Sequence, residues 1–452
     1  MRKVFIQPFQ LPRLLLLFGD MLIVFVSSLL ILFLSKAAGK PFPEDISKFP
    51  YISFVFSTIT VWVYYILDLY NIPKRRNSGM EFTTFCIGMI TVMILYSSLS
   101  YLLSSLRPGK TSLLLFAISS GILTFIWHNS LYKIVTINQQ RILFIGQEKI
   151  IKDITQYIKD NYSQFYTIVG HWHSNSHNPT LPNLFDFIEE HNADLVIYSV
   201  HSKVLKQVIN DLITVKFSKK NIINAYDFYQ DLTRKYPIYH LNDFWLLVNS
   251  QKEIFLPTAA RNLKRAFDLL LFMCLLPLAV PLFLVSALAI KLFSKGPVFY
   301  LQERVGLDEV PFKIFKLRTM IVEAEESGPQ MCKDNDCRIT KVGKILRFFR
   351  LDELPQLINV LKGEMSFVGP RPLRKPFTDQ RAQLIPFYRL RFLVKPGITG
   401  WAQVSYGHGN TMEDHRQMFQ YDMFYIVRQS LWLDLFIIFK TIQVILRGKG
   451  SR

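Results

Sequence analysis

The stretch FDLLLFMCLLPLAVPLFLVSALAIKLF, residues 267–293, decides the architecture, because it has the apolar length of a membrane span yet holds Pro277 and Pro281 inside it. A full crossing would place everything after it on the opposite side of the bilayer from what precedes it. Basic residues flank it on both sides, Arg261, Lys264 and Arg265 before and Lys291 and Lys295 after, and such residues are retained on the cytoplasmic face. Both ends therefore face the cytoplasm. The expected structure is a proline-broken re-entrant hairpin over about 266–293, with Asp268 capping or orienting its junction and limbs of roughly 15 Å at about 1.5 Å per residue. A kinked full span is the alternative, since prolines also occur in crossing helices.

Working upstream, the windows at roughly 12–36, 51–72 and 82–106, and a weaker one at 111–129, are long and apolar enough to span a bilayer. Arg2, Lys3 and Arg13 before the first and Lys74, Arg75 and Arg76 after the second set the amino terminus inside, so four transmembrane helices return the chain to the cytoplasm near Lys133. No short apolar core with a small-residue cleavage site marks a removable signal. Half of the 452 residues are apolar and the formal charge is +19, a combination that anionic lipid and phosphorylated substrates explain without nucleic acid. Four cysteines, with no second cysteine or histidine pair at zinc-like spacing beside Cys332 and Cys337, indicate reduced thiols.

From about 138 the pattern changes. RILFIG (141–146), YTIVGHW (166–172) and ADLVIYSV (193–200) read as buried strands, with helices near 148–160, 181–191 and 203–216, which makes a small parallel Rossmann-like α/β module. Gly146 lacks the further glycines that let a pyrophosphate approach a helix end, so a structural or regulatory role is expected. His171, His173 and His177 share one polar loop without a carboxylate or cysteine partner, and read as solvated rather than metal-binding.

Downstream, Arg304, Lys313, Lys316, Arg318, Arg338, Lys341, Lys344, Arg347, Arg350 and Arg371 are dense enough for two phosphate-bearing substrates. For Lys341, Lys344 and Arg347 a basic membrane-facing surface is the competing use. Among these cations lies RFFRLDELPQLINVLKGEMSFVGPRP, residues 347–372. Asp352 and Glu353 precede Pro355, which suits a helix start, and the helix should stop near Gly363. Carboxylates at a helix start are often plain capping groups; here one could attack phosphorus and the other hold a divalent ion. Adjacent helical side chains diverge by about 100°, which favours two unlike roles over a shared-proton dyad. GPRP (369–372) is a constrained turn around Arg371, and KPGITGWAQV (395–404) sets Trp401 either in the core or on a ligand.

These passages, with KRAFD, GPVFYLQERVG, FKIFKLRTM and CRITKVGKILR, carry a strong resemblance to the bacterial sugar transferase family, the monotopic polyprenyl-phosphate sugar-1-phosphate transferases, over about 261–450. The regions before it resemble those of the long members, similar to undecaprenyl-phosphate galactose or glucose phosphotransferases. The resemblance implies transfer of sugar 1-phosphate from a UDP-sugar to undecaprenyl phosphate with release of UMP, and dependence on Mg2+. It implies Asp352 as nucleophile, Glu353 as the metal-binding carboxylate, Arg371 as a phosphate ligand, and Lys316 and Arg318 as active-site cations. It also implies a bacterial inner-membrane location, a cytoplasmic catalytic face and a homodimer. Two departures stand out: Cys337–Arg338 replaces the usual proline–arginine, and Arg350–Leu351 replaces the usual serine–leucine.

The expected fold is thus membrane α plus cytosolic α/β: four transmembrane helices over 1–137, a Rossmann-like module over 138–258, and a mainly α catalytic domain over 259–452. YDMFYIVRQSLWLDLFIIFKTIQVILRG resembles the family's last amphipathic helices and reads as docking at the membrane surface, because Asp434 and Lys440 break its apolar run. A catalytically inactive assembly scaffold is the second reading. Transport lacks an internal repeat or a polar relay.

Overall fold

The computed structural model describes residues 10–37, 48–70, 78–102, 110–137, 139–146, 148–172, 184–199, 212–213, 221–240, 257–324, 336–407, 409 and 411–447. His173, His177, Cys332 and most of the expected helix at 203–216 lie outside them. The chain forms two compact units, Met1–Phe228 and Tyr229–Arg452.

The first unit opens with four long helices, α1 (Gln10–Ala37), α2 (Phe49–Ile66), α3 (Ser78–Leu102) and α4 (Lys110–Ile137). Each of the four contains a stretch long and apolar enough to cross a membrane. Helix α1 packs on α2 and α4, and α3 on the same two, around Val24, Leu32, Phe56, Val92, Tyr96 and Phe116. Lipid is as apolar as leucine, so hydrophobicity alone does not hold such helices together; close packing and polar pairs between them do. Tyr64 Oη meets Thr124 Oγ1 at 3.1 Å, Ser35 meets Ser112 at 3.0 Å, and Asp20 joins His128 at 2.8 Å and Tyr70 at 3.0 Å.

An all-parallel sheet follows, with strand order β2-β1-β3-β4: β1 (Gln140–Ile145), β2 (Tyr166–Trp172), β3 (Leu195–Tyr198) and β4 (Asn221–Asn224). The three expected strands are present. The fourth, NIIN, is too short and too polar at its ends to announce itself in the sequence. Helix α5 (Lys149–Asn161) makes the crossover from β1 to β2 and α6 (Leu184–Glu190) that from β2 to β3, with Ile188 packed against Leu143 and Val196. The boundary between the units falls inside α7 (Ala225–Thr233).

The segment 229–240, expected in the middle module, belongs to the second unit. Tyr236 N donates to Gln420 O at 3.0 Å and Trp401 Nε1 to Arg234 O at 3.0 Å. Trp401 is therefore a packing residue, buried with Lys440 Nζ 4.5 Å above its ring.

Helix α8 (Thr258–Phe293) holds Pro277 and Pro281 in its interior. The two separate limbs expected from the sequence are a single helical run of 36 residues. A proline removes one N–H donor and crowds the carbonyl four residues back, which kinks a helix without having to end it. The start of α8 is tied down by Lys264 on Asp434 at 2.7 Å and by Asp268, which accepts from Ser366 Oγ at 3.0 Å and Phe367 N at 3.2 Å. Asp268 thus holds a strand rather than capping a helix. Toward the other end, Phe283 stacks on Phe299 at 5.6 Å and Ile290 packs with Leu317 and Leu346.

The rest of this unit is a β-hairpin, β5 (Phe299–Val305) with β6 (Pro311–Leu317); helices α9 (Lys341–Phe348) and α10 (Gln356–Lys362); the parallel pair β7 (Ser366–Val368) and β8 (Gly397–Thr399), with α11 (Lys375–Leu384) between them; and helices α12 (Trp401–Ser405), α13 (Met412–Val427) and α14 (Leu431–Leu446). Its core includes Phe312, Ile314, Val360, Phe367, Phe419 and Tyr425. Thr340 caps α9 by accepting from Gly343 N at 3.0 Å, and its own N–H bonds Thr319 O at 3.0 Å.

A Cβ on Gly343 would lie 2.1 Å from Thr319 O, a backbone atom with nowhere to move. Gly343→Ala should therefore push α9 off the strand end, lowering stability by about 1–3 kcal/mol as overpacking does. Thermal unfolding of the detergent-purified protein measures it, with an unchanged midpoint as the contrary result.

Candidate active site

Arg350 takes a left-handed conformation (φ 58°) that turns the chain out of α9 into a single 3-10 turn, Leu351–Glu353. That turn carries both carboxylates inward, and each residue is 8% exposed. Helix α10 follows Pro355 and ends at Gly363 with φ 83°, as the sequence indicates.

The neighbouring carboxylates have unlike surroundings. Glu353 Oε1 receives Arg371 Nη2 at 2.8 Å, Lys316 Nζ at 3.4 Å and Arg350 Nη1 at 3.9 Å. Burial alone would raise its pKa, but Arg371, then Lys316 and Arg350, hold it well below the ordinary carboxylate range. Among the described residues Asp352 makes no ion pair. Burial, then the Glu353 charge, pushes its pKa up against the pull of Lys316, Arg347 and Arg371. Lys316 is lowered by burial, and Arg371 is raised chiefly by Glu353.

Strand pleating explains how Lys316 reaches this place. Side chains alternate along β6, so Lys316 continues the inward row of Phe312 and Ile314 at the strand's end. Asn359, fully buried on α10, sets the spacing to the acidic turn: its Oδ1 accepts from Phe315 N at 3.1 Å and its Nδ2 donates to Lys313 O at 2.8 Å and Glu364 Oε2 at 2.7 Å. Sequence reasoning missed Asn359, whose only signal is an amide within the largely apolar QLINVL. It named Arg350 only within the general set of phosphate-suited cations, and for Arg347 it left a membrane-facing surface as the competing use. Arg347 faces Asp352 electrostatically and donates from Nε to Thr319 Oγ1 at 2.9 Å.

Of the expected cations, Lys316 and Arg371 converge on Glu353. Arg318 does not join them; it donates to Pro297 O at 3.0 Å and lies over the Tyr300 ring. Arg338 grips Asp336 at 2.6 Å and Ala324 O at 2.9 Å, locking its own loop. Among the described residues no group of three or more His, Cys, Asp or Glu forms a closed metal cage. Magnesium is commonly held by one or two carboxylates, with substrate phosphates and water completing its shell. The Asp352 carboxyl and Glu353 Oε2 fit that donor set, because all three contacts to Glu353 fall on Oε1.

The two carboxylates should respond oppositely to neutralisation. Glu353→Gln leaves buried cations without their counter-charge and should cost about 3–5 kcal/mol, as breaking a buried pair does. Asp352→Asn relieves a charge that the fold disfavors and should keep or raise the unfolding temperature. Thermal unfolding of the two variants in one detergent checks the ordering, and equal losses would contradict it.

Residues 259–448 match the family described as bacterial sugar transferase. Over 190 residues, 42% of this chain, the sequence is 49% identical to a UDP-N-acetylgalactosamine-undecaprenyl-phosphate N-acetylgalactosaminephosphotransferase of Aeromonas hydrophila, covering 45% of that protein. It is 46% identical over 184 residues to the UDP-glucose:undecaprenyl-phosphate glucose-1-phosphate transferase of Escherichia coli (strain K12), covering 40% of each chain. A relative of the same description from Caulobacter vibrioides is 45% identical over 196 residues, 42% of this chain and 73% of its own length. The matched stretch thus spans less than half of the first two relatives and most of the third. Four helices upstream of the matched region are long and apolar enough to cross a bilayer, and the chain is a multi-pass inner-membrane protein whose transferase region faces the cytoplasm. By this match, which holds all the residues of the acidic and basic cluster, the chain belongs to the bacterial sugar transferase family.

Proposed function

We propose that the protein transfers sugar 1-phosphate from a UDP-sugar to undecaprenyl phosphate, releasing UMP and leaving undecaprenyl-diphosphate-sugar, the first step in building a surface polysaccharide. One observation carries this reading. Of two adjacent buried carboxylates, Glu353 is occupied by three cations while Asp352 has no ion pair among the described residues. A group so placed is disfavored as an anion and reactive once ionised, as a nucleophile should be.

In the first half-reaction an Asp352 oxygen bonds to the phosphorus attached to the sugar, and the bond from that phosphorus to the bridging diphosphate oxygen breaks. UMP departs with the electron pair, leaving a phosphosugar-aspartyl intermediate. An oxygen of the lipid phosphate then attacks the same phosphorus and returns the Asp352 carboxylate. Lys316 and Arg371 hold the diphosphate oxygens and offset the charge that grows on the leaving phosphate. Magnesium, held by the acidic pair, would supply further charge stabilisation at the diphosphate.

The same reading makes α8 a re-entrant element and the parallel sheet a Rossmann-like module. Lys264 and Asp268 near one end of α8 and Ile290 near the other all dock on the same unit, while Met273, Leu278 and Val280 between them are exposed and apolar. A straight helix of this length would run about 54 Å, well over the hydrocarbon thickness of about 30 Å. A bent helix dipping into the cytoplasmic leaflet leaves both ends with the catalytic unit.

The deciding experiment incubates the protein in lipid with undecaprenyl phosphate, magnesium and single UDP-sugars, UDP-glucose and UDP-N-acetylgalactosamine included, and measures UMP and lipid mass. One sugar should give stoichiometric UMP and a diphosphate-linked lipid, and Asp352→Asn should give neither. Wild-type protein that stays folded yet yields no UMP with any sugar would favour the scaffold reading. Because Asp352 must be ionised to attack and its pKa is raised, the rate should fall as pH drops through a value above 3.8, the ordinary value for this group. An acid limb at or below that value would contradict the environment assigned to Asp352.

A further inference from the structure

The GPRP segment, residues 369–372, presents Arg371 to Glu353 with a backbone that lacks two donors, since Pro370 and Pro372 carry no N–H. Such a segment is held through its carbonyls, and the three around the arginine are all occupied. Gly397 N donates to Pro370 O at 3.0 Å, Arg391 Nη2 to Arg371 O at 3.0 Å, and Arg304 Nη1 to Pro372 O at 3.2 Å. The first is a backbone contact, and Arg304 is only partly buried.

Arg391 is different. It is 5% exposed, its Nη2 also donates to Asp422 Oδ2 at 3.0 Å, and its Nη1 donates to Tyr388 Oη at 3.1 Å. Asp422, on α13, is itself 5% exposed. Apolar residues of like volume would often be as stable as a buried ion pair or more so, so such a pair behind the active-site arginine points to a use other than packing. The planar fork of arginine also suits the task, because it meets a carboxylate, a hydroxyl and a carbonyl from one rigid group.

We infer that Arg391, oriented by Asp422, is a positioning residue for Arg371: through the Arg371 carbonyl it fixes where that guanidinium stands relative to Glu353 and the diphosphate. It acts through Arg371 and does not touch substrate. The inference rests on the sugar-phosphate transfer proposed above. A misplacement of about 1 Å in a positioning group can cost roughly 100-fold in rate.

The test measures unfolding temperature and first-turnover UMP release, per folded protein, in wild type, Arg391→Met, Arg391→Met with Asp422→Asn, and Arg391→Lys. Arg391→Met alone should be destabilised, because it strands Asp422 without its cation. The double variant removes both charges and should recover most of the unfolding temperature, yet release UMP about 10- to 100-fold more slowly than wild type. Arg391→Lys, whose single nitrogen cannot hold all three partners, should lower kcat with little change in KM for the UDP-sugar. It carries the test if the double variant does not fold. UMP release within twofold of wild type in either folded variant would overturn the inference and leave the pair a purely structural contact. Absence of UMP from wild-type protein would instead reject the transfer reaction itself.

Discussion

The meeting of Lys316, Arg350 and Arg371 on one oxygen of Glu353 is the constraint on which the rest of this site depends. The three cations come from the end of a strand, a left-handed corner and a proline-rich turn. Buried together without a counter-charge they would repel one another, and Glu353 makes their convergence tolerable. The same arrangement explains why its neighbour differs. With Glu353 holding the nearest counter-charges, Asp352 is left with burial and a like charge beside it, and its carboxyl shifts the other way.

Several buried polar groups exist to keep that cluster in register. Asn359 ties α10 to the edge of β6, so the acidic turn and Lys316 hold a set distance. On the far side, Lys264 and Asp268 of α8 reach Val368 O, Ser366 and Phe367, while Tyr425 and Asp434 complete a network around the same strand. That strand runs directly into the turn bearing Arg371. The start of the long apolar helix α8 and the turn bearing Arg371 are therefore joined by a few hydrogen bonds, so that under the proposed function the membrane element and the phosphate-binding turn are mechanically linked.

Outside this network the unit shows a large apolar surface. Trp432, Leu446, Ile345, Phe348 and Phe349 are exposed on or beside α14 and α9, as are many side chains of α8. In water such patches would be a liability. Under the proposed docking at a bilayer they become contact area, and Lys341 and Lys344, exposed on α9, would meet anionic headgroups.

The amino-acid sequence by itself determined four helices apolar and long enough to cross a membrane, three strands of the parallel sheet and the helix between Pro355 and Gly363, and it singled out Asp352, Glu353, Lys316 and Arg371, which the fold brings together. Each is a local pattern: apolar length, alternation, a proline and a glycine at helix ends, or charges crowded against a motif. Tertiary structure alone decided that Arg350 joins Glu353, that Arg318 and Arg338 serve other partners, that Asn359 sets the strand-to-helix spacing, that residues 229–240 pack with the transferase unit, and that α8 runs unbroken through its prolines. These outcomes depend on which distant backbone groups a side chain meets once buried, and an unpaired buried charge or amide costs too much to be left where local pattern would put it.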